Sequence, residues 1–249
     1  MSGRTLLVTG GGRGIGAAVA RLGAARGYAV CVNYRSDAVA AEAVVAEIER
    51  AGGRALALPA DVAREEEVER LFHAVDAELP PLTALVNNAG VTGRVARLEE
   101  ASPETIRDVV DLNLLGSIWC ARAAVRRMAR RYGGAGGAIV NISSGAATLG
   151  SPGEYVWYAA SKGAVDSLTL GLAKENAGEG IRVNAVAPGF VRTEIHAASG
   201  LPERLEKVAP TMPIGRAAEP EEIAEAVLWL LSDAASYTTG AVLRVAGGR

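Results

Sequence analysis

Tyr158 and Lys162 stand four residues apart in Tyr158-Ala159-Ala160-Ser161-Lys162, inside a helical pattern. That spacing places both side chains on one helix face, one turn apart. A free Tyr hydroxyl titrates at roughly pH 10 and is a poor base at neutral pH; a neighbouring ammonium favours the phenolate and lowers that value. The pair is suited to moving a proton on or off an oxygen. Tyr155 offers no competing match, because position 159 is Ala. Ser144 precedes Tyr158 by fourteen residues and follows Ile139-Val140-Asn141-Ile142-Ser143. It falls at the C-terminal end of a predicted strand, where open α/β sheets bind ligands. A hydroxyl there can hold a substrate oxygen beside that of Tyr158. Taken alone, Y-x-x-x-K is common, and an exposed helix pair is its default reading.

A second chemistry-bearing stretch lies near the start. The first strand runs into Thr9-Gly10-Gly11-Gly12-Arg13-Gly14-Ile15-Gly16 and then an Ala-rich helix. Glycines let the chain turn tightly and approach a pyrophosphate, and the helix start supplies free N–H groups and a positive dipole end. Its place between strand and helix is what gives the turn weight as a dinucleotide site. An NAD enzyme usually carries Asp or Glu at the end of the second strand, to accept hydrogen bonds from the ribose. Here the residues are Asn33-Tyr34-Arg35-Ser36, with Arg13 in the glycine turn. Two guanidinium groups and a hydroxyl suit a 2′-phosphate, which makes NADP(H) the expected cofactor and leaves NAD(H) open; its oxidised nicotinamide, like the Lys162 ammonium, would favour the Tyr158 phenolate.

Positioning these groups requires a sheet. Short apolar runs alternate with helical patterns along the whole chain. Strands are predicted at Thr5–Thr9, Ala29–Asn33, Ala55–Ala60, Ala84–Asn87, Ala138–Ile142, Arg182–Val186 and Ala241–Val245. Helices are predicted at Gly14–Arg26, Ala38–Ala51, Arg64–Glu78, Pro103–Arg131, Tyr155–Ala177 and Pro220–Ser232. Strands apolar on both faces suit a parallel sheet covered by helices, and βαβα alternation implies a doubly wound one. With no linker or repeat, residues 1–249 read as one Rossmann-type α/β domain with a seven-stranded parallel sheet. The segment 191–219, broken by Gly and Pro, reads as a lid over the site.

Composition narrows the classes. The net charge is −2 with both signs interspersed, and no basic arm favours nucleic acid. No apolar run reaches membrane-spanning length and no signal-peptide core precedes the first strand, so a cytoplasmic protein is expected. Cys31 and Cys120 sit in apolar patterns and read as reduced core residues; two isolated histidines, His73 and His196, make no zinc site. Arg122, Arg126, Arg127, Arg130 and Arg131 form a basic strip, either a solvated face or subunit contact, or a landing site for an acidic acyl carrier protein.

The T-G-x-x-x-G-x-G spacing, Asp61-Val62 after the third strand, Asn87-Asn88-Ala89-Gly90 ending the fourth, Asn113, Ser144, Tyr158, Lys162 and Pro188-Gly189 occur in one order along the chain. Together they resemble the short-chain dehydrogenase/reductase family over essentially its whole length. The resemblance implies a catalytic set of Asn113, Ser144, Tyr158 and Lys162, with Asn113 supporting a bound water in a proton relay. It also implies cofactor contacts from Gly10, Gly14, Ile15, Gly16, Asp61, Val62, Asn88, Ala89, Gly90, Tyr158, Lys162, Pro188, Gly189, Val191 and Thr193. Asn87 is assigned to the central sheet and Ser143 to backbone support. The implied reaction is hydride transfer between the cofactor and a small carbonyl or secondary alcohol, in a homotetramer. A 3-oxoacyl reductase-like or general carbonyl reductase, a sugar 1-dehydrogenase and a non-catalytic NADP(H) sensor remain open. An enoyl reductase is disfavoured, because that branch spaces its Tyr and Lys further apart. Thr92, Arg94, Glu154, Tyr155 and His196 are expected at the pocket wall, where Glu154 would oppose an anionic substrate.

Overall fold

A computed structural model describes residues 3–249, apart from the His196 side chain. Seven parallel strands form one sheet in the order β3-β2-β1-β4-β5-β6-β7. They are β1 (Thr5–Val8), β2 (Ala29–Tyr34), β3 (Arg54–Pro59), β4 (Leu82–Asn87), β5 (Gly137–Ile142), β6 (Ile181–Pro188) and β7 (Val242–Val245). Each lies where the apolar runs predict, with ends shifted by a residue or two. The order reverses beside β1, between β1 and β4, which is where doubly wound sheets open their ligand crevice.

The first helices are α1 (Gly14–Ala25), α2 (Ala38–Arg50) and α3 (Glu65–Glu78). They are followed by α4 (Pro103–Val110), α5 (Gly116–Met128), a short α6 (Ala146–Leu149) and the long α7 (Val156–Asn176). Beyond β6 come α8 (Ile195–Ala198), α9 (Arg204–Val208) and α10 (Pro220–Leu231). Start signals are local: Asp37 accepts from the Ala40 N–H and Ser102 from the Thr105 N–H, and α4 and α10 each open on Pro. One sheet face packs Leu6, Val8 and Val30 against Val19, Ile223 and Leu228 of α1 and α10. The other packs Leu7, Leu85 and Ile139 against Phe72 and Met128 of α3 and α5. Cys31 and Cys120 are free and fully buried in that second layer.

The predicted helix Pro103–Arg131 is interrupted. Asp111–Leu115 forms a π-helical turn between α4 and α5. The wider turn rotates Asn113 so that its amide meets the loop after β4, and Ser117 Oγ donates to the Asn113 carbonyl at 2.8 Å. Segment 191–219 is less irregular than its composition implies. It holds α8 and α9, and its two ends are joined by Arg192 N–H to Ala218 O and Ala218 N–H to Phe190 O, both 2.9 Å.

Four of the five arginines of the basic strip pair with acids of the same chain, and Arg130 forms no ion pair with an acid among the described residues. Arg122 pairs with Glu65, Arg126 with Glu69 at 3.5 Å, Arg127 with Asp76 at 2.8 Å and Arg131 with Glu179 at 3.2 Å. This supports the solvated-face reading over a carrier-protein landing site.

A buried polar chain fixes α7 to the middle of the sheet. Asn87 Nδ2 donates to Asn141 Oδ1 at 2.9 Å, and Asn141 Nδ2 donates to Thr169 Oγ1 at 2.8 Å. Thr169→Val keeps the shape but strands a buried N–H of Asn141. We expect a loss of about 1–3 kcal/mol in unfolding free energy, read from urea titrations, whereas a change within error would show that the bond contributes little to holding α7.

Candidate active site

The C-terminal strand ends surround a cleft of about 940 Å³ that reaches from the glycine turn to α9. Its near end is built on close approach. Gly10 and Gly14 have φ of +61° and +52°, and a Cβ on Gly16 would lie 2.4 Å from the Gly10 carbonyl oxygen. No side chain fits there, which leaves the turn folded tightly over the start of α1. Thr9 Oγ1 accepts from the N–H groups of Asn88 and Ala89, both at 3.0 Å. Asn88 Nδ2 donates to the carbonyls of Thr9 at 2.9 Å and Gly10 at 3.0 Å. The end of β4 therefore clamps the glycine turn.

Of the residues expected to hold the cofactor, all but Gly16 line this cleft. Two act differently from the sequence reading. Asn33 is buried, with Nδ2 donating to the carbonyls of Leu58 and Ala60 at 3.2 Å and Oδ1 accepting from Gly10 N–H. Its amide braces β2 against β3 and the turn, leaving little for a ribose. The amide of Asn88 is likewise spent on the turn, so this residue presents its backbone. Arg13 and Arg35 are exposed and line the cleft, and among the described residues neither guanidinium has a hydrogen-bond or ion-pair partner. Asp61 accepts from Ala63 N–H at 3.1 Å, and Gly14 and Thr193 meet across the cleft. A glycine cradle closed to any Cβ, with two unpaired guanidinium groups beside it, fits a phosphorylated dinucleotide.

The far end carries the proton chemistry. Tyr158 and Lys162 face the cleft from α7 and are almost wholly buried, 8% and 5% exposed. Burial raises the Tyr158 hydroxyl above its ordinary range, and hydrogen bonding with Ser144 acts against that shift. From helical spacing the Lys162 ammonium, together with an oxidised nicotinamide, is expected to lower it. Instead the ammonium donates to the Ile142 carbonyl at 2.7 Å and lies 5.9 Å from the Tyr158 ring centre. Burial outweighs its influence on the phenol. Burial likewise pushes Lys162 down to about 8, opposed by the charge of Asp166 one turn further along α7.

Asn113 does not line the cleft. It is fully buried, accepts from Val91 N–H at 2.9 Å, and donates to Val91 O at 2.9 Å and Ser161 Oγ at 3.1 Å. Ser161 in turn donates to the Tyr158 carbonyl at 2.8 Å. The side chain thus ties the loop after β4 to the turn of α7 that carries Tyr158. Thr92, Arg94, Glu154 and Tyr155 line the cleft as expected, while the His196 side chain lies outside the described residues. Sequence reasoning missed Asp166, Phe190, Arg204 and Arg249. Phe190 directly follows the Pro188-Gly189 motif without being singled out, while Arg204 in the short α9 and Arg249 at the end of the chain have no period or motif to mark them.

The buried ammonium has a measurable consequence. A lysine whose folded value is about 8 lies below its ordinary 10.5, so between those values the unfolded chain holds more protons. The penalty is present below about pH 8 and is relieved as pH rises. Stability of the wild type relative to Lys162→Met should increase between about pH 8 and 10, by up to ~3 kcal/mol. Urea midpoints across that range check this; a constant difference would mean that Lys162 is not held in a costly charged state.

Comparison with known proteins agrees with the geometry. Residues 10–249 match the family model described as Enoyl-(Acyl carrier protein) reductase. The uncharacterized oxidoreductase YgfF of Escherichia coli is 52% identical over 243 residues, covering 98% of each chain. A 3-oxoacyl-[acyl-carrier-protein] reductase of Synechocystis is 40% identical, covering 100% of this chain and 97% of that one. Glucose 1-dehydrogenase 2 of Bacillus subtilis is 37% identical, covering 100% and 95%. A crystal structure of a short chain dehydrogenase from Burkholderia cenocepacia in complex with NADP superposes with a TM-score of 0.90 at 33% identity, covering 99% and 98%. With a seven-stranded parallel sheet, a glycine cradle and a buried Tyr–Lys pair at one cleft, the chain belongs to the short-chain dehydrogenase/reductase family of NAD(P)-dependent oxidoreductases.

Proposed function

We propose that this chain is an NADP(H)-preferring oxidoreductase that interconverts a small carbonyl compound and a secondary alcohol. The observation that carries this reading is the Tyr158–Ser144 hydroxyl pair beside Lys162, in the same cleft as the glycine turn. The bound cofactor supplies or accepts the hydride. Gly10, Gly14 and Ile15 hold its pyrophosphate end, Asp61 and Val62 its adenine, and Val191 and Thr193 its carboxamide. Arg13, Arg35 and Ser36 hold the 2′-phosphate, and the lack of a partner for the two guanidinium groups among the described residues supports that choice over NAD(H).

In the reductive direction Ser144 orients the substrate oxygen and Tyr158 donates the proton to it. In oxidation Tyr158 takes that proton back. Because burial raises the phenol in the protein alone, the phenolate depends on positive charge arriving with the oxidised cofactor. Lys162 binds ribose hydroxyls and tunes Tyr158, while Asn113 holds the loop and helix between which a proton-relay water sits. Segment 191–219 serves as the lid.

The retention of Ser144, Tyr158 and Lys162 at one site favours an enzyme over a redox sensor. The pairing of Arg122, Arg126, Arg127 and Arg131 with acids of the same chain favours a free small substrate over a carrier-bound acyl chain. A sugar 1-dehydrogenase is the second reading, supported by the glucose dehydrogenase relative. A homotetramer through α5, α7, α10 and β7 is part of the proposal, supported by the exposed Leu170, Trp229, Tyr237 and Val242. No helix among the described residues is long and apolar enough to cross a membrane, consistent with the cytoplasmic assignment.

Turnover is tested by NADPH absorbance against ketones, diketones, aldehydes and oxoacyl thioesters, with sugars assayed in the oxidative direction. Tyr158→Phe should lower kcat by about 10²–10⁴-fold while NADPH still quenches protein fluorescence. NADPH binding without turnover of any compound in the panel would overturn the enzymatic reading in favour of the sensor. Arg13→Gln with Arg35→Gln should cut the NADPH-to-NADH preference at least tenfold, corresponding to about 1.4 kcal/mol or more of lost phosphate contact. An unchanged preference would assign the 2′-phosphate to other groups.

A further inference from the structure

The end of the cleft away from the glycine turn contains a charged group that hydride chemistry does not use. Arg204, the first residue of α9, has a side chain only 9% exposed. One of its terminal nitrogens donates to Glu154 at 2.5 Å. Its guanidinium lies 5.3 Å from the centre of the Tyr155 ring and 5.2 Å from that of Phe190. Nε and Nη1 are buried and have no hydrogen-bond acceptor. A buried donor without an acceptor is costly, and a guanidinium cannot shed its charge to relieve that cost. A structural latch would need only the bond to Glu154; two further unused donors at the cleft wall point to a ligand.

Charge and position narrow the ligand. Phe190 is flanked by a second guanidinium, Arg249, at 4.9 Å, and Arg244 donates to the Arg249 main-chain oxygen at 2.7 Å, so three guanidinium groups stand against the Glu154 carboxylate and that main-chain oxygen at this wall. Of the other acidic groups lining the cleft, Asp37, Asp61 and Glu194 lie at the cofactor end, Glu194 against Gly14, and Asp108 sits on α4. Tyr155 stays neutral, since burial pushes its hydroxyl up to about 12. The wall therefore keeps a surplus positive charge, and the pairing of Glu154 with Arg204 offsets the repulsion of an anion expected from that carboxylate. The Tyr155 ring stands between Arg204 and the Tyr158 ring, 5.3 Å from the guanidinium and edge-on to Tyr158 with ring centres 5.4 Å apart.

We propose that Arg204 binds a carboxylate of the substrate, making this chain an oxidoreductase for hydroxy acids and oxo acids whose carboxylate is separated from the reacting carbon by a spacer about one ring wide. The assignment rests on the oxidoreductase reading above for the reacting carbon, but the anion site stands on its own contacts. An incoming carboxylate reaches Nε and Nη1 as α9 shifts at the rim. The Tyr155 and Phe190 rings supply apolar walls for the spacer.

The test uses the enzyme loaded with NADP+, with levulinate and 3-oxocyclohexanecarboxylate as probes, each against its methyl ester. Binding is measured by calorimetry and, in parallel, kcat/KM is measured with NADPH. Each acid should exceed its ester at least tenfold in wild type, and Arg204→Gln should bring that ratio close to one. Glu154→Gln, which removes the competing charge, should raise it. An acid that does not bind measurably, a wild-type ratio near one, or a ratio that survives Arg204→Gln would overturn the proposal. Survival of the ratio would leave Arg204 as a latch, since loosening α9 affects acid and ester alike. If no compound is turned over, the oxidoreductase reading fails while the binding ratio still decides the anion site.

Discussion

The height and rotation of α7 over the sheet govern everything at the far end of the cleft, and buried amides set both. Asn87, Asn141 and Thr169 form a hydrogen-bonded chain from β4 through β5 to α7. Asn113 reaches Ser161 from the opposite side, through a π-helical turn that costs regularity but points the amide at the loop after β4. Buried donors and acceptors of this kind are unforgiving of displacement, because each lost bond leaves a desolvated group behind. An apolar seam in their place would tolerate sliding. Tyr158, Ser144 and Lys162 meet because the amides do not slide.

The same low-dielectric setting shapes the chemistry. Burial disfavours both the phenolate of Tyr158 and the ammonium of Lys162, so in the protein alone their two shifts run in opposite directions. The lysine is held by the Ile142 carbonyl and by the charge of Asp166, and so keeps a place beside the tyrosine without ionising it. A site arranged in this way waits for charge to arrive with its cofactor. The cost to stability is concentrated where the function lies, a common property of sites with strongly perturbed groups.

The cleft's two ends solve opposite problems. At the glycine turn, side chains are excluded so that backbone can approach a ligand, and Gly16 shows how little room is left. At α9 a large cation is enclosed by two aromatic rings and one carboxylate, with donors to spare. The first arrangement depends on local conformation that only glycine adopts cheaply. The second depends on segments far apart in the chain being brought together by the turns after β5, β6 and β7.

That contrast also separates what the sequence by itself determined from what only the tertiary structure decided. Strand positions, helix starts and the glycine turn follow from short-range rules: apolar runs, capping residues, Pro at first turns and Gly where φ is positive. The Tyr158–Lys162 pair follows from helical spacing. Those rules act within a few residues, so they can be read before the chain folds. They do not reach the destination of an amide: Asn33 and Asn88 read as cofactor contacts, yet each is spent bracing the turn. Nor do they give the sign of an electrostatic balance, since burial of Tyr158 outweighs the lysine beside it. The meeting of Arg204 with Glu154, Tyr155, Phe190 and Arg249 had no local signal, because long-range packing alone sets those distances and the dielectric around them.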